Sequence, residues 1–144
     1  MKASKRLQVV LKLAEMKQQR AAETLAASQK ELDSMEHQRE QLVGFKAEYN
    51  SGFAGKTGLT VNPGQLANYQ RFYGSLEQVQ EAQVLRVESA QYQQSLARTD
   101  WQACYAREQN MRNLIEKKQH QEQLVDDRQQ QKEQDDRPLK PSPY

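Results

Sequence analysis

Two runs of alternating four- and three-residue spacings dominate this chain. The first passes through Leu7, Leu11, Ala14, Gln18, Ala21, Leu25, Ser28, Leu32, Met35, Arg39, Leu42, Lys46 and Tyr49, and about nine of these thirteen positions are apolar. The second passes through Leu66, Tyr69, Tyr73, Leu76, Gln80, Gln83, Val87, Ala90, Gln94, Ala97, Trp101, Cys104, Glu108, Met111 and Ile115, with about eleven of fifteen apolar. A period near 3.5 residues gathers such positions into one narrow stripe along a helix. A narrow stripe is buried well only against another of its kind, as in a coiled coil.

Composition agrees. Hydrophobic residues make up 36% of the 144 positions, below the roughly 45–50% of ordinary globular domains, and mean hydropathy is −1.05. Six Gly and four Pro are too few to turn a sandwich or barrel of many short strands. Glutamine, roughly one residue in six, is a good helix former. Long helices or disorder remain, and the periodicity selects helices.

Between the runs, Gly52, Gly55 and Gly58 sit among Ser and Thr and predict a loop. Asn62 before Pro63 is a helix start, with Gln65 placed to complete a capping box. Beyond Val125 the chain turns polar and ends with Pro138, Pro141 and Pro143, a composition that cannot bury a core. The expected fold is all-α: one long two-helix antiparallel coiled-coil hairpin over residues 1–134, with helices at 4–51 and 63–134, a loop at 52–62 and a disordered tail at 135–144. A reversal near residue 57 sets Leu42 opposite Tyr73, Leu25 opposite Ala90, Ala14 opposite Trp101 and Leu11 opposite Cys104. Helix two then overhangs helix one, leaving Met111, Ile115 and Val125 to fray or to meet a partner.

No catalytic constellation, metal set or cofactor motif is visible. His37 and His120 lie on different helices, and Cys104, the single cysteine, falls on the seam, where Cys behaves as a small hydrophobe. No Cys/His spacing resembles a zinc site. Gly55-Lys56-Thr57 lacks the upstream glycine and strand of a phosphate-binding loop. The formal charge of +2 does not in itself point to nucleic acid. No apolar run approaches the ~20 residues of a membrane span, and the first 20 residues lack the apolar core of a secretory signal. The expectation is a cytoplasmic, non-enzymatic protein.

Two surfaces stand out. Near the loop, Leu42, Phe45 and Tyr49 meet Tyr69, Phe72, Tyr73, Leu76 and Val79. Phe72, Leu76 and Val79 form a second stripe beside the seam, wider than a two-helix pair can cover. The stripe is either a partner surface or packing that finishes the hairpin. Gly44 and Gly74 lie on outer positions nearby, where they let the tip flex, let a partner approach or do nothing. At the other end, Lys2, Lys5, Arg6, Lys12, Lys17 and Arg20 stand against Glu15 alone, beside Arg107, Arg112, Lys117 and Lys118. This basic end is a solvated face, a surface for an acidic partner or, with no aromatics to stack bases, least of all a nucleic-acid site.

Several segments carry a family resemblance. They are Leu11-Lys12-Leu13-Ala14-Glu15, Ala21-Ala22, Leu25, Gln38, Gln41-Leu42 and Glu48-Tyr49. To these are added Asn68-Tyr69-Gln70-Arg71-Phe72 with Leu76-Glu77 after the Gly-rich stretch, and Trp101. Together they resemble the FliJ family of flagellar export proteins over roughly residues 5–120. The resemblance implies a cytoplasmic component of the flagellar type III export apparatus, required for motility and held peripherally at the inner face of the inner membrane. It implies an antiparallel coiled coil similar to the central stalk of rotary ATPases, with no stable membrane insertion. The termini end would sit in the pore of the hexameric export ATPase FliI and promote its assembly and activity. The tip would face the export gate FlhA, and late-substrate export chaperones would also bind.

The family's gate-contacting surface carries over to Gln38, Leu42, Phe45, Tyr49, Phe72, Leu76, Val79 and Gln83. Relatives have Tyr, Ala and His where this chain has Phe45, Val79 and Gln83. The ring-facing role falls to Lys5, Arg6, Lys12, Lys17 and Arg20, and Gln18, Gln80, Gln83 and Gln94 would hold register within the seam. The competing readings are the stalk of a virulence type III secretion system, a self-associating coiled-coil scaffold and a basic nucleic-acid binder.

Overall fold

The computed structural model describes residues 2–56 and 62–136, with side chains for 2–53 and 62–136. The expected all-α hairpin of two helices is what forms. Helix α1 is Ala3–Lys56 and helix α2 is Pro63–Asp135. Asn62 caps α2 as its sequence predicts. The Gln65 N–H donates to Asn62 Oδ1 at 2.8 Å, and the Asn62 N–H donates to Gln65 Oε1 at 3.4 Å. These two bonds satisfy donors that the first turn would otherwise leave open.

The chain divides into two compact units, residues 1–20 with 101–144 and residues 21–100. In the second, α1 and α2 run antiparallel around a core of Leu32, Val87 and Ala90, with Met35 packed against it. Val87 is only 2% exposed. Two glutamines share this seam. Gln94 Nε2 donates to Gln29 Oε1 at 3.1 Å, and Gln83 Nε2 donates to the Met35 carbonyl at 2.9 Å. Both are buried, and each bond offsets part of the cost of removing an amide from water.

In the first unit α1 and α2 are again antiparallel. The Ser4 hydroxyl and backbone N–H both donate to the Glu122 carboxylate, at 2.6 and 3.1 Å. Lys2 pairs with Asp126 at 2.8 Å, and Arg112 with Glu15 at 2.8 Å. Ile115 is buried.

The seam positions follow the spacing closely, with Arg39 and Leu66 the exposed exceptions. Three other expectations are corrected. First, α1 does not stop at residue 51. It runs through Gly52 to Lys56, because the Phe53 ring stacks on Tyr69 at 3.8 Å between centroids. That packing outweighs the ~1 kcal/mol cost of a helical glycine. Second, the register differs. The ammonium of Lys46, not Leu42, sits beside Tyr73, 4.7 Å from its ring centre, since the longer α1 moves the reversal past residue 56. In the first unit Glu15 bonds Arg112, where a reversal at 57 places Asp100 opposite it, an offset of about three turns. Third, Met111 and Ile115 are not overhanging, because pairing reaches Glu122 and Asp126. The tail expected at 135–144 lies outside the described residues from 137 on, as do residues 57–61 of the expected loop.

Candidate functional site

The second unit carries the aromatic surface. Tyr69 is its centre. Its ring stacks between Tyr49 (5.4 Å, 5° between planes) and Phe53 (3.8 Å, 17°), and it also faces Tyr73 at 5.8 Å. Its hydroxyl donates to Asn50 Oδ1 at 2.6 Å, so the polar edge is satisfied while the faces pack. Tyr49 also meets Phe72 at 4.5 Å, and Phe45 meets Phe72 edge-on at 6.5 Å. Lys46 braces the far side of Tyr73, reaching Gln80 Oε1 at 3.3 Å and the Glu77 carboxylate at 3.6 Å.

This cluster splits into two parts. Tyr49, Phe53, Tyr69 and Tyr73 are partly buried against one another and close the helix pair. Phe45, Phe72 and Val79 remain 50%, 40% and 50% exposed, with half-buried Leu42 and Leu76 beside them. The first group finishes the hairpin, one of the two sequence alternatives, and the second is left on the surface. Gln38 is exposed. Gln83 departs from the expected surface. It is 3% exposed, turned into the seam onto the Met35 carbonyl, with Gln38 Oε1 at 3.4 Å. Its position is a seam position, and the helix opposite offers it a carbonyl. Phe53 was missed by the sequence reading because Gly52 and Gly55 flank it. Its place four residues after Tyr49 and eight after Phe45 is the signal that extends the aromatic stripe.

The first unit carries the basic surface. Lys5, Arg6, Lys12, Lys17 and Arg20 are all exposed. Lys5, Arg6, Lys12 and Lys17 make no ion pair with a described residue. They do not form one patch. Lys5 and Lys12 border a shallow recess with Gln8 and Glu15, whereas Lys17 borders a groove with Arg107. Other charges are spent internally. The hydrogen bond to Glu108, then the field of Glu15, raises the Arg112 guanidinium above its ordinary pKa. The hydrogen bond and charge of Asp126 raise Lys2. The Ser4 hydroxyl, then its N–H, hold the Glu122 carboxyl below its ordinary value.

No described helix is long and apolar enough to cross a membrane. The chain matches the family described as Flagellar FliJ protein over residues 3–138. No curated protein and no solved structure gives a match.

Proposed function

Because the chain belongs to the FliJ family of flagellar proteins, we propose that this flagellar export-related protein acts as a non-enzymatic stalk of the type III export apparatus. In this reading the basic unit engages acidic loops in the pore of the hexameric FliI-like export ATPase through Lys5, Arg6, Lys12, Lys17 and Arg20. It thereby promotes assembly and hydrolysis. The aromatic unit docks on the FlhA-like export gate through Gln38, Leu42, Phe45, Tyr49, Phe72, Leu76 and Val79. Late-substrate chaperones are further partners, and the protein works at the cytoplasmic face of the inner membrane without inserting in it.

The observation that carries the reading is the exposure of Phe45, Phe72 and Val79 at a place where Tyr49 and Tyr69 already close the seam. Aromatic surface left in water beside a finished core is surface kept for association. Gln83 is assigned to register rather than to the gate, on account of its burial.

The test is ATP hydrolysis by the cognate export ATPase with and without the protein, followed beside hexamer formation. Stimulation together with more hexamer supports the stalk. No change at saturating protein removes it.

A further inference from the structure

The two flanks of the helix pair in the first unit are unlike. One is bridged: Arg112 spans Glu15 on α1 and Glu108 on its own helix, at 2.8 and 2.9 Å. The other is an open apolar groove of about 360 Å³ floored by Val10, Leu13, Ala14, Cys104, Met111 and Leu114. Leu13 and Leu114 are 51% and 39% exposed. Val10, Leu13 and Lys17 share one face of α1 by their spacing of three and four, as Arg107 and Leu114 do with Met111 on α2.

Charge on this flank has one sign. Lys17 and Arg107 border the groove itself. Arg6 stands one turn before Val10, and Lys118 one turn after Leu114. Since the helices are antiparallel here, both lie beyond the same end of the groove, opposite to Lys17 and Arg107. The carboxylates of residues 2–20 and 101–125 are elsewhere. Glu15 and Glu108 are on Arg112, Glu122 is on Ser4, and Glu116 is one turn past Arg112 on the bridged flank.

We infer that this groove binds an amphipathic helix of a partner protein, with an apolar ridge and acidic residues on both sides of it. The floor accepts the ridge, as in helix-in-groove recognition, and cations at both ends complement the acidic residues and fix the partner's placement. A second copy docking by this same flank would bring like charge against like charge. The inference shares Arg6 and Lys17 with the ring reading, but its apolar floor and the cations Arg107 and Lys118 are residues that reading does not use.

Cys104 lines the groove and is a free thiol, so it reports occupancy directly. The probe is a helical peptide of about 14 residues, ~21 Å long, with Leu at i, i+3, i+4, i+7 and i+11 and Glu at flanking positions. A charge-reversed peptide with Lys for Glu is the control. Labelling of Cys104 by a maleimide is followed at rising peptide concentration on the full chain. The acidic peptide is expected to slow labelling and to bind at least about tenfold more tightly than its Lys counterpart. Leu13→Glu and Leu114→Glu, both at exposed positions, should each abolish protection while circular dichroism stays unchanged.

Equal binding of the two peptides, or protection by neither, overturns the inference. Protection that grows with protein concentration alone assigns the groove to a second copy and overturns it too. None of these readouts involves the ATPase, so failure here leaves the ring reading to its own test.

Discussion

Ser4 and Glu122 are 118 positions apart in sequence, yet the Glu122 carboxylate accepts both the hydroxyl and the backbone N–H of Ser4, at 2.6 and 3.1 Å. One helix thus caps the start of the other. The first N–H groups of α1 have no intrahelical acceptor and carry the positive end of the helix dipole, which is where a carboxylate is favoured. The same contact sets which turn of α2 lies beside the beginning of α1.

This cap makes the pairing of the α1 terminus pH-dependent. The folded pKa of Glu122 lies below its unfolded value, chiefly through the Ser4 hydroxyl. Its contribution is therefore complete above the unfolded pKa and is lost as pH falls through the folded one. Protection of the amides of residues 4–8 against exchange, relative to their intrinsic rates at each pH, should fall on acidification across and below the carboxylate range. In Glu122→Gln the same amides should be less protected already at neutral pH, with little further loss of protection on acidification. An unaltered acid dependence in Glu122→Gln would assign the effect to another group.

The core of the second unit should respond to truncation and its surface should not. Leu32→Ala removes a buried side chain packed with Val87 and Ala90 and should cost about 2–3 kcal/mol. Leu85→Ala, at a position 65% exposed, should stay within about 0.5 kcal/mol. Urea unfolding followed by circular dichroism compares the two, and equal losses would contradict the seam assigned here.

Gly44, Gly52 and Gly74 are helical, and a methyl group at each would meet nothing within 4 Å. Each change to Ala should therefore stabilise the protein by about 0.5–1 kcal/mol. Motility of cells carrying Gly44→Ala and Gly74→Ala then separates a functional role of these residues from none. Unchanged swimming means they are tolerated, and weaker swimming despite higher stability means that the aromatic end must flex or be approached closely by a partner.

At the aromatic surface, stability and binding should separate. Val79→Ser replaces a half-exposed side chain and should leave stability within about 0.5 kcal/mol. Phe72→Ala also loses its contacts with Tyr49 and Phe45 and should lower stability by about 1 kcal/mol. Both should weaken association with the export gate, as should Leu42→Ala. Gate affinity and motility unchanged in Phe72→Ala and Leu42→Ala would remove the gate from this surface.

Gln83 is expected to act through register. Gln83→Leu exchanges a buried amide on the Met35 carbonyl for apolar surface, so the thermal midpoint should hold or rise. Species of higher mass should appear in light scattering, because an all-apolar seam accepts alternative pairings. A strictly monomeric variant with lowered stability would make the amide a plain structural contact.

The features legible in the sequence alone are local. A period of 3.5 residues is written in the identity of near neighbours, so Leu32, Met35, Val87, Ala90 and Ile115 could be placed on the seam from spacing alone. The Asn62–Gln65 cap was legible for the same reason, since it spans one turn. The surplus stripe at Phe72, Leu76 and Val79 was also readable, being wider than one partner helix can cover.

Register came from the packing of the two helices. A heptad pattern matches itself after every shift of about seven residues, so spacing alone could set Ala14 beside Trp101 as readily as beside Cys104 and Met111. Contacts distant in sequence break that degeneracy: Ser4 with Glu122, Glu15 with Arg112, Met35 with Gln83 and Tyr69 with Asn50. The same kind of contact, Phe53 on Tyr69, carries α1 past a glycine that local propensity reads as a break. It was also tertiary pairing that turned Gln83 inward and left Val10, Leu13 and Leu114 facing an open groove, because a side chain's surroundings depend on which turn of the other helix lies against it.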